Sequence, residues 1–396
     1  MKSWKANYTA VLIAQTLAMI GFSITGPVIP LFLADDIGVT DPVELKMWIG
    51  LINSASSLTM ALFAPIWGHL ADTFSRRAML MRAMFGAGII IFFMTFVTAP
   101  WQLFVLKGIQ GCLAGTVSAA TVLTAVITPA AQVGFTLGLL TTCIAIGHSL
   151  GPLVGGLVAD FIGYRAAFLI NSLALILSGF IVLWWVDRDT KSGKARSEKK
   201  FTLLPDIRPI LSSPLLISII VITFIVSVSG GVSAPMLPLF LKELSIDTAY
   251  LASSTGVVLG IGAAATAIAA VMVGKFSGRA GYMKTLIFCL SAGAALIIPQ
   301  TFVTNIYQLA ILRALSCFFM GGCSPVINAL IAVSSDKNNQ GSIYGINSSL
   351  SAAGHAVGPM IGAGIAIMSF RATFLVTGIF VAFAAWQAYR RRKLSG

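Results

Sequence analysis

Six side chains stand out because their types can do chemistry and their surroundings are apolar. Lys107 and Arg313 are bases inside otherwise uncharged runs, His148 and His355 form a second such pair, and Gln110 and Asn347 add amides. In a low-dielectric setting an ammonium or guanidinium can grip an anion, an imidazole can carry a proton near neutrality, and an amide can orient a neutral ligand. Each also has a blander reading. A lysine can snorkel its amine to an interface, and a histidine or amide can simply join two helices. Gln15, Asn53, Ser227 and Asn328 are polar in the same way and carry the same pair of readings. No phosphate-binding glycine loop, Ser-His-Asp arrangement or metal-ligand cluster accompanies them. The expectation is therefore no enzyme activity, no cofactor and no metal. Cys112, Cys143, Cys289, Cys317 and Cys323 lack Cys-x-x-Cys or histidine spacing and read as small apolar packing residues.

The elements that must position these groups follow from composition. The chain has 396 residues, 57% of them hydrophobic and only 10% charged, where a soluble chain has about 25% charged. There is too little polar surface to coat a water-soluble body. Twelve apolar stretches appear, each near the ~20 residues that a helix needs to cross ~30 Å of hydrocarbon: Asn7 to Leu33, Met47 to Leu70, Ala78 to Thr98, Trp101 to Ile127, Phe135 to Val158, Ala166 to Val186, Pro214 to Phe240, Leu251 to Gly274, Thr285 to Val303, Tyr307 to Val333, Ile343 to Met368 and Ala372 to Tyr389. The first run is too long for the ~7 to 15 apolar residues of a secretory signal.

Placing alternate connections on alternate sides puts twenty of the 26 bases on one side and four on the other. Cytoplasmic loops hold the excess of Lys and Arg, so both termini are expected in the cytoplasm and the protein is expected as a multi-pass protein of the cell inner (plasma) membrane. The net charge of +13 is accordingly a topology signal, and no nucleic acid is expected as a partner. All thirteen acids fall at span ends or in connections. That leaves the interior neutral to cationic, suited to neutral or anionic amphipathic molecules.

The polar stretch from Asp187 to Ser213 divides the spans six and six. It reads as a cytoplasmic linker, with lipid-headgroup contact as the alternative. Residues 1–186 then form an N-terminal six-helix bundle and residues 214–396 a C-terminal one. The halves repeat at an offset of 206 to 208 residues: Gly26-Pro27-x-x-Pro30 against Ala234-Pro235-x-x-Pro238, Gln102 and Lys107 against Gln308 and Arg313, His148 against His355, and Arg165-x-x-Phe168 against Arg371-x-x-Phe374. Two like-oriented halves with a site between them are the build of an alternating-access carrier.

Three motifs complete the reading. The connection after the second span runs Gly68-x-Leu70-Ala71-Asp72-x-x-x-Arg76-Arg77, in which an acid and a basic pair at a helix end can latch one face of the molecule. The fourth span has Leu103-x-x-x-Lys107-x-x-Gln110-Gly111. The fifth has Gly147-x-x-x-Gly151-Pro152-x-x-Gly155-Gly156, whose small residues allow close helix approach. On these motifs the chain resembles the major facilitator superfamily, and within it the twelve-helix drug:proton antiporters. Thr73, Ser75 and Lys107 stand where that family's signatures have Arg, Gly and Arg. The resemblance implies an all-α integral membrane fold of two pseudo-symmetric six-helix bundles and secondary-active export of amphipathic small molecules in exchange for protons, as a monomer. The alternative is a carrier or facilitator of an anionic or neutral metabolite, with Lys107 and Arg313 as its anion clamp.

Overall fold

The computed structural model describes residues 3–73, 75–187, 210, 213–244, 250–335 and 340–395, and leaves the side chains of residues 64, 65, 68–73, 341, 342 and 393–395 outside that description. It is built from α-helices because hydrocarbon cannot satisfy a backbone amide, and only a helix satisfies its own. In chain order they are α1 (Trp4–Asp36), α2 (Pro42–Thr73), α3 (Arg76–Met94), α4 (Pro100–Ile127), α5 (Ala130–Phe161), α6 (Tyr164–Trp185), α7 (Pro214–Leu244), α8 (Leu251–Ala280), α9 (Tyr282–Phe302), α10 (Ile306–Ser334), α11 (Gln340–Met368) and α12 (Phe370–Ser395). Eleven of them are long and apolar enough to cross a membrane by length and composition. The other is α2, with 32 residues. Side chains cap several starts: Ser3, Ser75, Ser213 and Asn305 accept from the backbone N–H three residues on.

Two spans expected to be continuous are broken in the middle. In α4 the helix Pro100–Cys112 stops and Thr116–Ile127 starts again, with Gly115 at φ 124°. In α10 the break falls between Ile306–Gly321 and Cys323–Ser334. The freed carbonyls of α4 are taken by side chains, Trp67 Nε1 donating to Cys112 O at 2.6 Å and Arg82 Nη2 to Ala114 O at 3.3 Å. Arg82 lies within α3, its guanidinium carbon 3.4 Å from the centre of the Trp67 ring.

The two bundles are built alike. In the first, α1 packs on α5 and α6, α2 on α4, and α3 on α6; in the second, α7 packs on α11 and α12, α8 on α10, and α9 on α12. The likeness reaches single atoms. Arg165 Nη1 donates to Thr95 O at 2.8 Å, and Arg371 Nη1 to Thr301 O at 3.3 Å. Gln102 Oε1 accepts from Thr98 N at 2.8 Å, and Gln308 Oε1 from Thr304 N at 3.0 Å. The rings of Phe32 and Phe168 stand 5.1 Å apart, those of Phe240 and Phe374 5.0 Å. Between the bundles α5 lies on α8 and α2 on α11. The expected linker at 187–213 lies outside the described residues except for Asp187, Ile210 and Ser213.

Candidate functional site

The glycine motif of α5 sets the site's geometry, because its two edges face different partners. A Cβ on Gly147 would stand 2.4 Å from Met19 Cβ, one on Gly151 2.4 Å from Ser23 Cβ, and one on Gly155 2.2 Å from Ile24 O, all on α1. Gly156 and Pro152 turn the other way, onto α8: a Cβ on Gly156 would be 2.2 Å from Ala252 O, and one on Gly256 2.2 Å from Pro152 O. The motif is thus a double seam, one edge inside the bundle and the other between bundles. α11 repeats it, with Gly354 against Ser227 and Gly358 against Gly231.

Contacts between bundles concentrate at the face away from the two termini. Deeper along the seam Ser149 Oγ donates to Gly260 O at 2.9 Å, and at the face itself Asp160 accepts from the first amides of α8, Ala252 N at 3.2 Å and Ser253 N at 2.7 Å. A carboxylate at a helix N-terminus satisfies otherwise orphaned amides and faces the positive end of the helix dipole. Lys242 Nζ reaches Asp35 Oδ1 at 2.5 Å, and Lys46 Nζ lies 4.4 Å from the centre of the Phe370 ring. On the same side α2 meets α11 closely, since a Cβ on Gly50 would be 2.7 Å from Ala363 Cβ. Nearer the termini, Cβ atoms on Gly134, Gly138 and Gly345 would meet nothing within 4 Å among the described residues, as would those on Gly26 and Gly364 toward the other face.

A cavity of about 470 Å³ lies in the half nearer the termini, where Thr223, Ser227, Ser324, Asn328, Asn347, Ser351 and His355 line it together with apolar residues of the C-terminal bundle and Met60 of α2. Of the six residues singled out from sequence, Asn347 and His355 line it. Asn347 is buried and its Oδ1 has no hydrogen-bond partner. His148 is exposed on α5, its Nδ1 2.9 Å from Ser23 Oγ. Arg313 is half-buried and donates to Ser233 Oγ at 3.4 Å. Lys107 is half-buried on α4, with no hydrogen bond or ion pair among the described residues. Gln110 is buried, with Oε1 unpartnered.

Of the expected latch, Arg77 is buried and donates to Val182 O at 3.3 Å and to Leu183 O, tying the start of α3 to the end of α6. Arg76 stands beside it at the first turn of α3. The side chains of Gly68 and Asp72 lie outside the described residues. The seam residues Ser23 and Ser149 and the cap Asp160 were not singled out from sequence. An acid at a span end looks like any loop charge until the helix it caps is known.

Two like bundles that meet along α5 and α8 and along α2 and α11, with a cavity lined from both, define a membrane transporter of the two-bundle kind. The chain belongs to the Major Facilitator Superfamily, whose family model matches residues 11–299 and 219–395. It is 33% identical over 398 residues to the "Multidrug resistance protein MdtG" of Salmonella typhimurium (strain LT2), covering 99% of this chain and 98% of that one. To the protein of that name from Escherichia coli (strain K12) it is 34% identical over 397 residues, covering 99% and 96%. Among solved structures it is similar to the nucleoside transporter NupG, at a TM-score of 0.79 with 12% identity over 96% of this chain and 99% of that one. A bacterial homologue of the human lysosomal transporter Spinster, described as inward-facing and unoccupied, aligns at a TM-score of 0.78 with 16% identity, covering 98% and 97%. At these identities the two structures speak for the fold.

Proposed function

We propose that the protein exports amphipathic small molecules, neutral or anionic, from the cytoplasm in exchange for protons, by rocking one bundle against the other. The observation that carries this is the cavity, which lies in the half of the molecule nearer the termini and has no carboxylate among its lining residues. An organic cation would find no countercharge there. Relatives sharing a third of its residues over nearly the full length bear the name multidrug resistance protein. The excess of bases on the terminal face supports cytoplasmic termini and an inner (plasma) membrane location, on which the cavity faces inward. Gly68, Asp72, Arg76 and Arg77 are proposed as the latch that closes the cytoplasmic face when the cavity turns outward, and the segment from 187 to 213 as the tether that lets the bundles move. His148, His355 and Lys107 are the candidates for proton exchange. The chain is proposed to work as a monomer.

The test is proteoliposome transport. With an imposed pH gradient, a fluorescent neutral amphiphile is expected to accumulate against its gradient while protons move the opposite way. Substrate flux indifferent to the pH gradient would refute the coupling.

A second reading has its own observation. Lys107 has no partner among the described residues while its repeat mate Arg313 rests on Ser233, so a cation on α4 is available to an anionic metabolite.

A further inference from the structure

The breaks in α4 and α10 fall at matched places but are made differently. Gly86 of α3 meets Leu113 of α4 where Gly293 of α9 meets Met320 of α10, and at the same offset Gly115 answers to Gly322. Each break has a threonine of a neighbouring helix on a carbonyl one turn earlier, Thr59 Oγ1 donating to Gly108 O at 2.8 Å and Thr266 Oγ1 to Cys317 O at 3.2 Å. Beyond that the likeness ends. In α10 the backbone keeps helical angles, with Gly322 at φ −74° and ψ −18°, and Gly322 N donates to Phe319 O of its own chain at 3.2 Å. A Cβ on Gly322 would stand 2.8 Å from Val273 Cγ2, so this turn is wedged against α8.

In α4 the backbone leaves the helix. Gly115 takes φ 124° and ψ 18°, angles that strain any residue with a side chain. The carbonyls of Cys112 and Ala114 are held from outside, by Trp67 of α2 and Arg82 of α3. Nothing in the covalent chain demands this form, since residues 101–128 contain no proline and glycine also accepts helical angles. The clamp is itself incompletely satisfied: Arg82 lies on the Trp67 ring, yet its Nε and Nη1 are buried without a partner and no carboxylate pairs with it among the described residues. That burial cost offsets part of what the clamp contributes, which favours the broken form without locking it. A path leads onward to the other bundle. A Cβ on Gly111 would stand 2.1 Å from Thr59 Oγ1 of α2, and α2 meets α11 at Gly50 and Ala363.

We infer that α4 is a two-state switch, with Trp67 and Arg82 as the clamp that holds it broken in this state, and that the break in α10 is a fixed turn. When the face away from the termini opens, α4 closes into one continuous helix. Cys112 O and Ala114 O then accept from the N–H groups of Thr116 and Ser118, and Trp67 and Arg82 are released. This rests on the reading of the two bundles as rocking against each other. It adds the element that changes shape, and places it in one bundle alone.

The test reads both ends of that path in the full-length protein in lipid nanodiscs, as hydrogen exchange at the amides of residues 116–118 and thiol labelling of a Ser253→Cys reporter. Gly115→Ala strains the broken form and suits the continuous one. Trp67→Phe keeps a ring beneath Arg82 and removes the donor to Cys112 O. Against the reporter in the otherwise wild-type chain, Gly115→Ala should raise labelling about tenfold or more, and Trp67→Phe about two- to tenfold. In Gly115→Ala, exchange at 116–118 should slow while that at 323–325 stays unchanged. Unchanged labelling in either folded variant, labelling that rises with no slowing at 116–118 in Gly115→Ala, or slowing at 323–325 as well would overturn the switch. Should Gly115→Ala fail to fold, Trp67→Phe decides alone. Substrate flux indifferent to a pH gradient, with both shifts present, removes the exporter reading and leaves the switch standing. Coupled transport without the shifts does the reverse.

Discussion

Lys107 and Arg313 show how a single side chain can be legible in sequence as a type and illegible as a role. Both stood out as bases in apolar runs, and their spacing made them repeat mates. The structure separates them, since Arg313 is anchored on Ser233 and Lys107 is without a described partner. If the pair acts as an anion clamp, the double variant Lys107→Gln with Arg313→Gln should weaken binding of an anionic amphiphile by tenfold or more, about 1.4 kcal/mol or above, and leave a neutral one of the same body unchanged. Isothermal titration of both ligands reads the difference, and equal affinity of wild type and variant for the anion would exclude the clamp. Asn347 was visible as a polar residue in a span. That its carbonyl oxygen lacks a partner was not, because satisfaction depends on neighbours far along the chain.

Among the helices, α5 was the most legible, for its glycines are spaced to line one stripe. Sequence pointed to close packing there but not to two partners, α1 for Gly147, Gly151 and Gly155 and α8 for Gly156. The contrast makes a test. Gly155→Ala would place a Cβ 2.2 Å from Ile24 O, against backbone that cannot swing aside, whereas Gly138→Ala meets nothing within 4 Å. Gly155→Ala should therefore cost about 1–3 kcal/mol of overpacking strain and lower the midpoint of thermal unfolding, while Gly138→Ala should leave it unchanged or raise it through helix propensity. A Gly155→Ala protein as stable as wild type would show that the seam can open at no cost. The breaks in α4 and α10 were hidden in the sequence, where each reads as one apolar run. Periodicity reports which residues are apolar. It is silent on where the backbone yields, because Trp67 and Arg82, which take up the freed carbonyls of α4, come from neighbouring helices.

At the scale of the whole molecule the balance between two states rests on the contacts of the face away from the termini. Asp160 caps α8 from the opposite bundle, Lys242 pairs with Asp35 across the same seam, and Ser149 bonds Gly260. A cap is worth about 1 kcal/mol and the half-exposed pair less, so together they can tilt a two-state equilibrium several-fold without locking it. Asp160→Ala combined with Lys242→Gln is expected to raise the population open at that face by about three- to tenfold. Thiol labelling of a reporter cysteine at Ser253, compared with the same reporter in the otherwise wild-type chain, measures it. Unchanged labelling would mean that the apolar seam alone holds the face shut.

Sequence by itself determined that the chain crosses a membrane many times and that its halves repeat. Hydropathy, charge and internal offset are carried along one dimension and need no knowledge of which surfaces meet. Only the tertiary structure decided that position 347 lines a cavity, that Asp160 caps a helix of the other bundle, and that α5 packs by one edge on α1 and by the other on α8. Those facts arise where two bundles touch, from which stripes of twelve helices come together, and a stripe carries no record of its partner.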